Sequence, residues 1–196
     1  MFARHPCDPQ RTGEAAALTA GEAEQLLSKA KATCSFQDYA LLMTALRAGL
    51  RRGELVALKW GDLQFAADNE DPNRYILVQR NYDYRWVRAF TTTKSKKPRR
   101  VDMGRELRGV LLELQDERLI KAFTEGQDSI ADELVFPSEV GTPLEINNFV
   151  ARVFEPLVEK ASFRKIRFHD LRHTYGSLLI QGGARPGSKR SLFQRG

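Results

Sequence analysis

Between residues 75 and 103 the chain changes its periodicity, and this change limits the folds open to it more than any other feature. The stretches at 75–80, 86–93 and 99–103 are rich in β-branched and aromatic residues and are divided by polar turns, a pattern of short strands joined by hairpins. On either side, apolar residues recur every three to four positions, as on one face of a helix. Upstream, Thr19 and Glu22 carry the spacing of a capping box, and Ala23, Leu26, Leu27 and Ala30 follow on one face. Ser35 and Asp38 open a second helix with Ala40, Leu42, Met43 and Leu46 as its stripe, and Gly49 is placed to stop it. A third short helix is expected over residues 53–60. Downstream, residues 105–124 carry Leu107, Val110, Leu111, Leu114 and Leu119 as a core stripe, residues 145–161 are helical with Pro156 dividing them, and residues 169–181 form a last helix before Gly182-Gly183. The expected fold is therefore α+β and mainly α: a helical domain with a small three-stranded antiparallel sheet.

A chain of 196 residues, 42% hydrophobic and 29% charged, fits one ordinary domain with a real core. No run approaches the roughly 18 apolar residues of a membrane helix, so no membrane partner is expected. Residues 1–6 lack the apolar stretch of a secretory signal, and the expected location is the cytoplasm. Cys7 and Cys34 make neither a disulfide framework nor a metal cluster and are read as reduced thiols. The net charge of +6 is unevenly spread. Residues 85–108 carry nine basic side chains against Asp102 and Glu106, residues 109–160 four against eleven acidic ones, and residues 164–196 eight against Asp170 alone. Two basic blocks flanking an acidic one suit a molecule with one face turned to a polyanion.

Three motifs carry chemistry. In Gly49-Leu50-Arg51-Arg52-Gly53-Glu54 a glycine turn presents arginines at a helix start, and Arg51 and Glu54 are spaced so that the carboxylate can hold the guanidinium. Lys94 lies near a hairpin tip in Thr93-Lys94-Ser95-Lys96-Lys97. In His169-Asp170-Leu171-Arg172-His173-Thr174, His169 and Arg172 share a helix face. Each motif alone has a plain reading as a surface ion pair, solubilising lysines or a capped helix. Together they supply what phosphodiester chemistry requires: two arginines to clamp the non-bridging oxygens, a lysine to protonate a leaving oxygen, and a histidine to handle a proton. An unrelated basic helical protein with chance matches would scatter these side chains instead of gathering them.

The string Gly49-Leu50-Arg51-x-x-Glu54-Leu55…Leu58-x-Trp60-x-Asp62, followed by Thr93-Lys94-Ser95-Lys96 and by His169-Asp170-Leu171-Arg172-His173-Thr174, resembles the catalytic domain of the tyrosine recombinases, or phage integrases, over about residues 15–183. The resemblance implies site-specific DNA recombination or integration by breaking and rejoining DNA, as in mobile genetic elements. It makes Arg51 the first catalytic arginine, Lys94 the hairpin general acid, His169 the general base or proton relay and Arg172 the second phosphate clamp. Glu54 takes the supporting acidic position that orients Arg51. Arg52, Lys96, Lys97 and Arg99 are expected DNA contacts, and His173 and Tyr175 packing residues. Double-stranded DNA, and other recombinase protomers, are the implied partners, with no cofactor and no metal.

The family's nucleophilic tyrosine lies some tens of residues beyond the His-x-x-Arg helix, after a Leu-Gly-His-type motif. The five tyrosines here are Tyr39, Tyr75, Tyr82, Tyr84 and Tyr175, and none has that spacing. Without the phenol no covalent phosphotyrosine forms, and loss of a nucleophile costs about a million-fold in rate, as measured in serine proteases. The expected organisation is a disordered lead-in over residues 1–13, an integrase-like catalytic domain lacking its last helices over 14–183, and a basic irregular tail over 184–196 of the kind a frameshift leaves. The chain is thus expected to be unable to cleave by itself, the alternative being a non-catalytic DNA-binding fragment of a decayed mobile-element integrase.

Overall fold

Helix α2 (Phe36–Ala48) is apolar nearly all round, and such a helix is stable only when enclosed. Ser35 caps it, its hydroxyl accepting from the Asp38 amide at 3.1 Å, and every residue from Tyr39 to Ala48 is buried. The computed structural model describes residues 17–83, 88–92, 97–161, 164 and 166–182. Helices α1 (Ala20–Thr33), α4 (Arg105–Thr124) and α7 (Asp170–Gln181) surround α2. The reciprocal cap at the start of α1 is present: the Thr19 amide donates to Glu22 Oε2 at 2.7 Å, and the Glu22 amide to Thr19 Oγ1 at 3.2 Å. Arg47, on α2, is buried because it pairs with Glu24 of α1 and with Glu106 of α4, the latter at 3.0 Å. A buried cation so placed fixes the packing of three helices.

Helix α3 (Arg52–Val56) leaves α2 through Gly49, and a 3-10 turn (Trp60–Asp62) leads into the β region. A three-stranded antiparallel sheet runs in the order β1 (Leu63–Gln64), β2 (Tyr75–Val78), β5 (Arg99–Asp102), and β3 (Arg80–Asp83) and β4 (Ala89–Thr92) form a separate two-stranded ribbon. The expected three-stranded sheet thus exists with different members. Its third strand is the two-residue β1, too short to show any alternation, while the run at 75–80 divides at Gln79 so that one part joins the sheet and the other the ribbon. The ribbon lies close over α3: a Cβ on Gly53 would fall 2.6 Å from the Tyr82 carbonyl oxygen and 2.3 Å from Asn81 Oδ1.

Along α4 the buried positions are Leu107, Leu111, Leu114 and Ala122, and Leu119 is 38% exposed. Leu119 falls off the stripe because Ala122, two turns beyond Leu114, continues the buried row. The helical segment near Pro156 runs α5 (Ile146–Phe149), a π-turn (Val150–Phe154) and α6 (Glu155–Lys160). Proline has no amide to donate and its ring crowds the carbonyl four residues back, and the wider π-turn takes up both defects without breaking the helix.

Candidate active site

Gly49 carries the geometry on which the site depends. It ends α2 in the left-handed conformation, φ +59°, which favours glycine, and the ring of Tyr175 lies where a side chain would be: a Cβ on Gly49 would be 2.2 Å from Tyr175 Cδ1. Tyr175 is thus a packing residue, as expected, and burial raises its phenol above its ordinary value. The same α7 sends Arg172 to the turn, where Nη1 donates to the Gly49 carbonyl. Two residues beyond Gly49, Arg51 stands at the N-terminus of α3, where its amide donates to Glu54.

Glu54 is the only carboxylate at the centre of this cluster among the described residues, and its side chain is 1% exposed. Each of its oxygens accepts twice. Oε2 receives the Arg51 amide at 2.8 Å and Arg99 Nη2 at 2.7 Å; Oε1 receives Arg51 Nη1 at 2.9 Å and Arg99 Nη1 at 2.8 Å. Burial alone would raise its pKa, but the Arg99 and Arg51 donors and their charge override that and hold it at about 2. The Arg51 side chain remains 43% exposed, with most of its donors uncommitted.

Arg172 lies within the field of Arg51 and Arg99; burial first, then those charges, lowers its pKa from the ordinary guanidinium value. His169, just before α7, is exposed, its ring 5.1 Å from that of His173 in an edge-to-face contact. Desolvation, then the charges of His173, Arg52 and Arg172, lower its pKa below 6.5. Arg52 stands 5.6 Å over the Phe168 ring, beside His169. The start of α7 is held from below. Buried Asp170 accepts from the Arg167 amide and Nη2, both at 2.9 Å, and buried Thr174 donates to the Asp170 carbonyl at 3.0 Å while accepting from the Leu18 amide at 2.9 Å.

The structure therefore gathers Arg51, Glu54, Arg99, Arg172 and His169, with Arg52 beside them, where the α2–α3 turn, β5 and α7 meet. Lys97 is exposed just before β5. Lys94 and Lys96 lie outside the described residues. The pairing of Arg99 with Glu54 is what counting charges overlooks. Strand alternation does carry a signal for it, since Arg99 shares a face with Val101 and lies opposite buried Val78. A cleft of about 840 Å³ opens beside the cluster, lined by Gly49, Arg99, Arg172, His173 and Tyr175 among others. Among the described residues no group of histidines, cysteines and carboxylates is placed to hold a metal, and no helix is long and apolar enough to cross a membrane.

Such an arrangement of guanidiniums on a mainly helical α+β domain has the chemistry to receive an oxyanion. Residues 16–187 match the phage integrase family, and the chain belongs to it. It is 28% identical over 153 residues to the tyrosine recombinase XerC-like protein of Caldanaerobacter subterraneus subsp. tengcongensis, a match covering 74% of this chain and 39% of that relative. Its fold is that of XerA recombinase (TM-score 0.64, 24% identity, covering 97% of this chain and 57% of the other). It is also similar to the Tn1549 transposon integrase in complex with transposon right end DNA (TM-score 0.72, 23% identity, 95% and 60%). XerH site-specific recombinase bound to difH substrate also matches (TM-score 0.65, 20% identity, 90% and 46%). The chain spans less than two thirds of the length of each of these proteins.

Proposed function

We propose that this domain serves site-specific DNA recombination by holding one phosphodiester of duplex DNA between Arg51 and Arg172. What supports the reading most is that two guanidiniums, far apart in sequence, are anchored on one turn: Arg172 on the Gly49 carbonyl and Arg51 on Glu54. Each retains free donors, and planar forks suit the non-bridging oxygens on which charge develops as phosphorus becomes pentavalent. His169, kept neutral at pH 7, relays a proton, and Lys94 protonates the leaving 5′ oxygen. Arg52, Lys96 and Lys97 add backbone contacts that position the duplex and carry no sequence information. The chain acts in the cytoplasm, on double-stranded DNA, alongside further protomers. The relatives named above that are complexed with transposon right end DNA and with difH substrate accord with this partner.

Tyr39 is buried and Tyr175 is packed on Gly49, so neither phenol is offered to a phosphate held between the two arginines. Gel shifts with duplex DNA across a salt series test the two-arginine grip on the phosphate. Binding that weakens steeply with salt and loses about one unit of salt slope in Arg51→Ala or Arg172→Ala is the expected result. Binding indifferent to both substitutions would refute it.

A further inference from the structure

Arg99 was expected to touch DNA as one more basic residue of the hairpin, but its geometry points elsewhere. Its guanidinium lies fork-to-fork on Glu54, with bonds of 2.8 and 2.7 Å, whereas Arg51 spends a single side-chain donor on the same carboxylate. The Arg99 side chain is 31% exposed, and its alternation partner Val101 faces the core side of β5. Glu54 has room for four donors, and all four places are taken. Removing Arg99 would empty one place on each oxygen. Arg51, three residues away on the same helical turn, would then be drawn onto the carboxylate with both ends of its fork, and its charge would be spent there.

We infer that Arg99 is a positioning residue: by occupying Glu54 bidentately from β5 it keeps Arg51 singly tethered and available for an oxyanion, and it ties β5 to the arginine helix. The inference rests on the phosphate-holding reading above for its consequence in DNA binding, though not for its geometry. Two guanidiniums sharing one carboxylate leave a net positive charge. One guanidinium bidentate on that carboxylate leaves none.

The experiment compares Arg99→Gln, Arg99→Lys, Arg51→Ala and the Arg51→Ala/Arg99→Gln pair in duplex-DNA binding over a salt series. Circular dichroism checks the fold, and the crystal structure of Arg99→Gln shows where Arg51 goes. Arg99→Gln is expected to weaken binding about tenfold, the loss of one charge-assisted contact. Arg99→Lys should not restore it, since a point charge cannot occupy both oxygens. Arg99→Gln should add nothing in the Arg51→Ala background, and in its crystal structure Arg51 should bridge both Glu54 oxygens. If Arg99→Gln folds poorly, Glu54→Gln/Arg99→Gln, which leaves no carboxylate to capture Arg51, should bind DNA better than any Arg99→Gln protein that can be recovered. Near-wild-type binding by Arg99→Lys, or a cost of Arg99→Gln that persists in full without Arg51, would overturn the assignment and make Arg99 a direct phosphate contact. A wild-type chain that fails to bind duplex DNA would refute the phosphate-holding reading instead, and the position of Arg51 in the Arg99→Gln crystal structure would still decide the role of Arg99.

Discussion

Glu54→Gln is the sharpest perturbation of this structure, because one buried carboxylate holds two arginines and lies near a third. Its pKa of about 2, against an ordinary 4.5, means that the folded state prefers the ionised form. At about 1.36 kcal/mol per pH unit, the gap amounts to roughly 3 kcal/mol of stability. The group is nearly inaccessible to solvent, so little of this is screened. Because the folded pKa is depressed, this stability is fully present above pH 4.5 and disappears as pH falls toward 2. Linkage removes about 2 of the roughly 3 kcal/mol by pH 3. Glutamine keeps the shape and loses the charge, leaving Arg51 and Arg99 to repel each other. Urea unfolding followed by circular dichroism should therefore show Glu54→Gln less stable by roughly 3 kcal/mol at pH 7 and by only about 1 kcal/mol at pH 3. A deficit under about 0.5 kcal/mol at pH 7, or one that does not shrink on acidification, would refute the reasoning.

Other consequences are as specific. Gly49→Ala forces a side chain into a left-handed backbone and against Tyr175, at a cost of roughly 2–5 kcal/mol in denaturant unfolding; adding Tyr175→Ala should recover the steric part alone. Thr174→Val leaves the Leu18 amide without its acceptor and should cost about 1–3 kcal/mol, whereas a cost near zero would mean that this buried hydroxyl does not hold the N-terminal segment to α7. The C2 proton of His169 should titrate by NMR with a midpoint below 6.5, and His173→Ala should move that midpoint upward by removing a nearby charge. A midpoint at or above 6.5 would contradict the surroundings described for it. The same sign makes His169 unfavourable to folding as pH falls through 6.5, a small effect because the ring is exposed.

Much of this molecule is legible in its sequence where the determinants are local. Thr19 with Glu22, and Ser35 with Asp38, state where helices begin, because the bonds they make span only three residues. Pro156 states where a helix must deform, although not that a π-turn would absorb the deformation. Sheet membership is not local. Leu63 and Gln64 become a strand only because Ile76 and Tyr75 pair with them, and nothing in a two-residue run announces that. Leu119 looks like core by spacing and is not, because the buried row drifts to Ala122 as the helix advances. The site shows the same division: Arg51, Glu54, His169 and Arg172 stand out by spacing within motifs, while the bond from Arg99 to Glu54 spans 45 positions and emerges only when β5 is set against α3.

Whether Arg51 and Arg172 hold one phosphate between them is decided by a crystal structure of this chain with a short DNA duplex at low salt. A single backbone phosphate is expected with non-bridging oxygens about 3 Å from both guanidiniums, Arg172 still on the Gly49 carbonyl and Arg51 still tethered to Glu54. A duplex bound on another face, with the two arginines empty or serving separate phosphates, would contradict it.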